Sequence, residues 1–319
     1  MNIDEISLAS LQESAHKYRK DLVRLPVISL ESSTQFMTVR PGIQGKETFY
    51  NPEFEADFAP YATAERTKTE GSFNPRTIET FFGACFFDFD PNTVISSILG
   101  HKASQAGNGA ATTVAGREVC ASVVKNLGRK LNRHLFSAKR NPAGKTTADL
   151  FDGFDTITDA EIAAGNISEE KGNLIVLKEA ITAQNAVDVI KQAIFAANDE
   201  LREEDCFVYT SRSIVDLYNE SYLMSHSGLV YNEEYKQTTI EGSDGRMTFA
   251  PMVGKKGSKY IHICPKANMI VGVDQMSDKE RFEVNRYEPK LRTGELYMYL
   301  GTQFESIDPR RMLVIQLPD

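Results

Sequence analysis

The chain has 319 residues, 41% of them hydrophobic and 25% charged, with a formal net charge of −8. It is long enough for one large or two ordinary domains, and its acidic balance argues against a surface built to hold nucleic acid through phosphates, which needs a basic face. Four scattered cysteines with no close pair exclude a zinc ribbon and a dense disulfide scaffold. No apolar run approaches the roughly twenty residues of a membrane helix, and the first residues lack a signal peptide's basic start and apolar core, so a cytoplasmic protein is expected.

In chain order, Leu8, Leu11, Ala15, Tyr18 and Leu22 recur at spacings of three and four, which predicts an amphipathic helix over residues 4–25, ended by Pro26. Residues 31–91 differ in kind, being rich in Thr, Phe, Glu, Gly and Pro, with no helical period. Residues 35–39 and 76–82 read as strands, and the segment as a long two-armed hairpin with an irregular tip near 51–67. An arm of about twenty residues spans roughly 65 Å at strand rise, against a radius of gyration of about 20 Å for a globule of this size. Such an arm folds back repeatedly or leaves its own subunit.

Helical spacing returns over residues 112–137, where Cys120, Val123, Val124, Leu127, Leu131 and Leu135 share a stripe and Lys125, Arg129, Lys130 and Arg133 lie elsewhere. Residues 182–203 give the cleanest period, through Ala183, Val187, Ile190, Ile194, Ala197 and Leu201, with Thr182 as N-cap. A buried strand over residues 206–210 follows, then a helix capped by Ser211 and running through Ile214, Leu217, Tyr218 and Tyr222. Residues 225–258 read as loop-rich, with a Gly- and Asp-rich turn over 241–245. The last seventy or so residues read as short strands at 260–264, 269–274, 281–287, 296–300 (ending on Gly301) and 312–315.

Catalytic constellations are not legible. Gly144-Lys145-Thr146 and Gly45-Lys46 imitate the end of a phosphate-binding loop, but Lys139 and Arg40 stand where its first glycine belongs, so the backbone cannot curl round a phosphate. Gly107-Asn108-Gly109 is too short for a dinucleotide fingerprint. The histidines His16, His101, His134, His226 and His262 have no metal-ligand spacing, and Ser225-His226 lacks a nucleophile elbow. His262 falls between Ile261 and Ile263 in a strand and reads as a packed or solvated residue. The acidic sets Asp88/Asp90 and Asp152/Asp155/Asp159/Glu161 lack the order of an EF-hand loop and read as solvated turns and caps. No enzyme, cofactor or metal is expected.

The order of arm, extended hairpin, long helix, helix–strand–helix and small carboxy-terminal sheet resembles the major capsid proteins of tailed bacteriophages (the Hong Kong 97 type fold) over roughly residues 1–317. Val39-Arg40-Pro41-Gly42-Ile43-Gln44-Gly45-Lys46 resembles the first arm of the E-loop in capsid sequences from phages and prophages of gut anaerobes. Phe73-Asn74-Pro75-Arg76-Thr77-Ile78-Glu79 resembles the returning arm. Residues 266–274, with the Phe282/Val284 strand after them, look like that family's strand-turn-strand.

The resemblance implies an α+β fold with an amino-terminal arm over 1–30, an E-loop with flanking strands over 31–91, and a peripheral domain with spine helix over 92–180. An axial domain over 181–265 and shared carboxy-terminal strands over 266–319 complete it. It further implies self-assembly through hexamers and pentamers into an icosahedral virion head enclosing phage or prophage double-stranded DNA, held by non-specific contact. Separate scaffolding, portal and head-completion proteins are the expected partners, with synthesis in the bacterial host cytoplasm and no membrane. Inter-subunit contacts are implied for Phe36, Arg40, Lys46, Phe49, Phe54, Phe58, Lys68 and Phe73 of the E-loop. An encapsulin-like compartment shell, which encloses a cargo enzyme, and an enzyme with a concealed site are the alternative readings.

Overall fold

A computed structural model describes residues 33, 35–54, 71–89, 110–225, 239–274, 282–286 and 292–318. The expected helix over residues 4–25 and the hairpin tip lie outside these. Strands β1 (Thr38–Pro41), β2 (Lys46–Phe54), β3 (Gly71–Glu79) and β4 (Phe81–Phe89) come first. Helices α1 (Ala110–His134) and α2 (Phe154–Ala163) follow, then β5 (Leu174–Val176), α3 (Ala186–Phe195), α4 (Asp199–Glu203), β6 (Cys206–Thr210) and α5 (Arg212–Ser225). The chain closes with β7 (Met247–Pro251), β8 (Tyr260–Cys264), β9 (Met269–Val273), β10 (Phe282–Arg286), β11 (Arg292–Phe304) and β12 (Leu313–Gln316).

The carboxy-terminal strands are dealt between two sheets. β9, β10 and β11 join β1 and β4 in a first five-stranded sheet, whereas β8 and β12 join β5, β6 and β7 in a second, ordered β5-β12-β8-β6-β7. Alternate residues of the second sheet enter different cores. Val208, Ile261, Ile263, Leu313 and Ile315 pack with Val187, Ile190 and Ile194 of α3 and with Val215 and Tyr218 of α5. Tyr209, Tyr260, Cys264 and Val314 pack with Leu131, Leu135, Phe136 and Phe154 from α1, α2 and the chain between them. Both faces are covered, which is why these strands read as unbroken apolar runs.

The stripe of α1 holds where its side chains are described. Leu131 and Leu135 are buried, Leu127 packs against them, and Lys125, Arg129, Lys130 and Arg133 are exposed.

Several sequence expectations need correction. The helix expected over 182–203 is two helices. After Ala196 and Ala197, Asn198 turns extended (φ −60°, ψ 140°) and its side chain accepts from the Glu200 N–H at 2.9 Å, which starts α4. The buried stripe survives because Ala197 and Leu201 still face the core, while Ala183 lies ahead of α3. The N-cap of α3 is Asn185 rather than Thr182, whose N–H donates to the Asn185 side chain at 2.7 Å.

β1 begins at Thr38 and pairs parallel with β9, Thr38 beside Ile270, instead of with the returning arm. The strand expected over 76–82 is interrupted at Thr80. The strand expected to end on Gly301 runs through it to Phe304. That glycine is there for clearance, because a Cβ on it would sit 2.1 Å from the Glu79 carbonyl oxygen.

Candidate functional site

The hairpin β2–β3 pairs in antiparallel register from Lys46 opposite Glu79 to Phe54 opposite Gly71, and it joins no other strand among the described residues. Gly45, at φ +95°, makes the turn that enters it. Thr80 closes the root: its N–H donates to the Gly45 carbonyl at 2.7 Å and its hydroxyl accepts from the Gly45 N–H at 2.9 Å. Ile43, Phe49, Ile78 and Ile270 bury one another beneath it. Arg76 ties β3 down with three acceptors: the Glu161 carboxylate of α2 at 2.8 Å, the Gln303 side chain at 2.9 Å and the Phe304 carbonyl at 3.1 Å. The inner hairpin is therefore anchored within its own chain.

The implied contact residues divide accordingly. Phe49 is 7% exposed and carries the Arg40 guanidinium 4.1 Å above its ring, while Arg40 also pairs with Glu305 at 3.6 Å. Phe36 packs edge-on to Phe207, with ring centroids 5.2 Å apart, and its carbonyl accepts from the Tyr209 hydroxyl. The burial that Phe36 and Phe49 require is thus supplied within the chain. Lys46 is exposed, 3.3 Å from Glu79. Phe73 stands opposite Pro52, and Phe54 opposite Gly71, on the outer half of the hairpin. Phe58 and Lys68 lie outside the described residues.

An aromatic patch shares a sheet face with the hairpin root. Along β11, Leu300 and Phe304 point into the core, so Tyr297, Tyr299, Gly301 and Gln303 point the other way. Gly301 and Gln303 meet β3, whereas Tyr297 stacks on Phe82 of β4 at 5.5 Å and meets Phe86 edge-on at 6.0 Å. Phe82 is 53% exposed and Phe86 62%. Nothing in the sequence marked this patch, since the strand of Phe81, Phe82, Phe86 and Phe87 reads as uniformly apolar.

A second constellation is internal. Lys255 is buried in the turn before β8, and its ammonium reaches Asp155 of α2 at 2.6 Å, His262 Nδ1 at 2.7 Å, the Tyr260 carbonyl at 2.8 Å and the Ser258 hydroxyl at 3.2 Å. The Phe136 ring centroid lies 4.6 Å from the same nitrogen. The Thr158 hydroxyl donates to the Phe154 carbonyl at 2.8 Å, leaving it to accept from His262 Nε2 at 2.8 Å, so Nδ1 carries the free lone pair. Burial lowers Lys255 to about 8 against the opposing pull of Asp155. Burial, reinforced by the neighbouring lysine charge, holds His262 well below its ordinary range.

Sequence reasoning missed this cluster because Gly254-Lys255-Lys256-Gly257 looks like a solvated basic turn. It also missed the partners of the acids around it, although Asp159 is exposed and Asp155 stands in the first turn of α2, as solvated and capping residues do. Asp155 pairs with Lys255, Asp159 accepts from the Tyr260 hydroxyl at 2.6 Å, Asp152 accepts from the Arg140 N–H at 2.8 Å, and Glu161 holds Arg76. Each carboxylate is spent on a partner that only the fold brings near. In the loop resembling a phosphate cradle, Asp149 accepts from the Thr146 N–H at 3.0 Å and from its hydroxyl, which occupies those donors and lowers the Asp149 pKa.

No family model matches this sequence, and no curated protein matches it. Solved structures do. A chain of the satellite phage P4 procapsid that includes the size determination (Sid) protein aligns with a TM-score of 0.62 at 12% identity, covering 92% of this chain and 89% of its own. The fold is that of phage capsid chains. A chain from the cyanophage A-1(L) capsid asymmetric unit gives 0.55 at 14% identity, with 92% of each chain covered. One from the capsid of an empty GTA particle gives 0.55 at 11%, with 91% and 90% covered. Among the described residues no helix is long and apolar enough to cross a membrane.

Proposed function

We propose that this chain is a major capsid protein that self-assembles, through hexamers and pentamers, into the icosahedral head enclosing phage or prophage DNA. The observation that carries the reading is a whole-chain fold match to capsid chains covering about nine-tenths of both partners. In this reading the role is structural rather than catalytic, and the protein resides in the virion after synthesis in the host cytoplasm. Scaffolding, portal and head-completion proteins are separate chains, and contact with packaged DNA is non-specific and not held by a basic face, since the net charge of −8 opposes phosphate binding.

β2–β3 serves as the E-loop, α1 as the spine helix, the first sheet as the frame of a peripheral domain and the second as that of an axial domain. The boundaries fall near residues 30, 91, 180 and 265, with the segment before 30 as an amino-terminal arm. The outer hairpin, with Phe54, Phe58, Lys68 and Phe73, lies on a neighbouring subunit, together with exposed Lys46. An isolated two-stranded ribbon is marginal in water, so the outer part of a hairpin that pairs with no other strand among the described residues calls for a second surface. Electron microscopy of the purified protein tests the proposal. Closed shells of uniform curvature are expected, and their contents, DNA or a cargo protein, separate a phage head from a cellular compartment. A discrete soluble oligomer under every assembly condition would overturn the reading.

A further inference from the structure

We propose that Lys255 condenses with Asp155 to form an intrachain amide, covalently joining α2 to the turn that leads into β8. The reacting groups are already in contact, with Nζ 2.6 Å from Oδ1. Lys255 has no exposed surface, and the Asp155 side chain is 13% exposed. A buried ion pair pays a desolvation cost that its attraction recovers only in part, whereas an amide is neutral and needs no counter-charge. Condensation is unfavourable between dilute partners in water. It becomes accessible when both are held at attack distance and solvent is shut out, because the entropy of bringing them together has been met by folding. Phe136 covers the amine on one side and His262 lies on another.

The step balances without any outside reagent. The ammonium passes one proton to the carboxylate across the 2.6 Å contact, giving a neutral amine and a carboxylic acid. The amine lone pair attacks Cγ of Asp155, and the C–N bond forms as the carbonyl π pair moves onto oxygen. The attached nitrogen is now strongly acidic, so even an imidazole of low basicity takes its second proton. His262 Nδ1 is placed for this, 2.7 Å from Nζ and 3.9 Å from Oδ1. It returns that proton to the departing hydroxyl as the C–O bond breaks. One water leaves, and the third proton stays on the amide. His262 Nε2–H, held by Thr158, fixes the tautomer this requires.

Mass spectrometry of the denatured full-length protein, purified folded, tests the proposal. The expected mass is that of the sequence less one water, and digestion is expected to yield one branched peptide joining the segments around Lys255 and Asp155. Succinimides at Asp152-Gly153 or Asp244-Gly245 would lose the same water. They survive in Lys255→Arg, where the amide cannot form, so that variant is expected to show the full sequence mass. His262→Gln is expected to slow the appearance of the lighter species by about a hundredfold, the usual contribution of a positioned proton carrier. The wild-type spectrum decides even if the variants fail to fold. A full sequence mass in aged wild-type protein, or a water loss without the branched peptide, overturns the proposal and leaves a buried ion pair.

Discussion

Gly272 of β9 and Gly301 of β11 face each other across the ladder, and the root of the hairpin occupies the space their missing side chains leave. A Cβ on Gly301 would lie 2.1 Å from the Glu79 carbonyl oxygen and 3.1 Å from the Thr80 Cα, both backbone atoms. One on Gly272 would meet the Ile78 Cδ1 at 2.8 Å and the Thr80 Cγ2 at 3.0 Å, both side-chain ends. Side-chain ends can turn aside, whereas a strand backbone held by its neighbours cannot. Gly301→Ala is expected to cost about 3 kcal/mol and Gly272→Ala about 1 kcal/mol, as overpacking against rigid and yielding atoms. Urea denaturation of the two variants checks the order, and equal costs would mean that the root is not seated as described.

Shortening the hairpin separates folding from assembly. Phe49 and Ile78 belong to the subunit's own core, so the cut must fall beyond them. Replacing residues 51–74 by Asn-Gly leaves Tyr50 opposite Pro75 and suits a two-residue turn. The variant is expected to keep its unfolding free energy to within about 1 kcal/mol, the scale of a change away from the core, and to form no shells in the electron microscope. Normal shells would remove the hairpin from the assembly surface.

Ile190 sits at the centre of the apolar face of α3 and is 2% exposed. Ile190→Asp replaces core packing with an unpaired carboxylate and is expected to cost about 4 kcal/mol or more. Loss of the cooperative transition by circular dichroism, or failure to express in soluble form, is the expected readout. A soluble variant as stable as wild type would mean that α3 does not cover the second sheet.

The buried imidazole gives stability a pH dependence of known sign. The folded-state pKa of His262 is depressed well below its ordinary 6.5, so the unfolded chain binds a proton that the native chain refuses. The stabilisation is therefore full above about pH 6.5 and is lost as pH falls below it, at up to about 1.4 kcal/mol per unit for this one group. His262→Gln is expected to flatten that part of the stability curve between pH 6.5 and 5.5 in urea titrations. An unchanged slope would place the imidazole in contact with solvent.

The sequence by itself determined what is encoded over a few residues. The stripe of Val187, Ile190 and Ile194, the strand that closes on Pro265, and the missing glycines of the phosphate-loop imitations all follow from local period and backbone sterics, whereas β7 falls in a stretch that reads as loop. Only the tertiary structure decided which strands meet. β8 and β9 adjoin in sequence yet enter different sheets, while Thr38 pairs beside Ile270 from the far end of the chain. Gly301 reads as a strand end because its reason for being glycine is a carbonyl contributed by Glu79. Lys255 reads as solvated because Asp155 reaches it only when α2 packs against β8. Local patterns fix φ, ψ and face, but the partner of a buried charge or a bare backbone is set by long-range packing, which no short window of sequence contains.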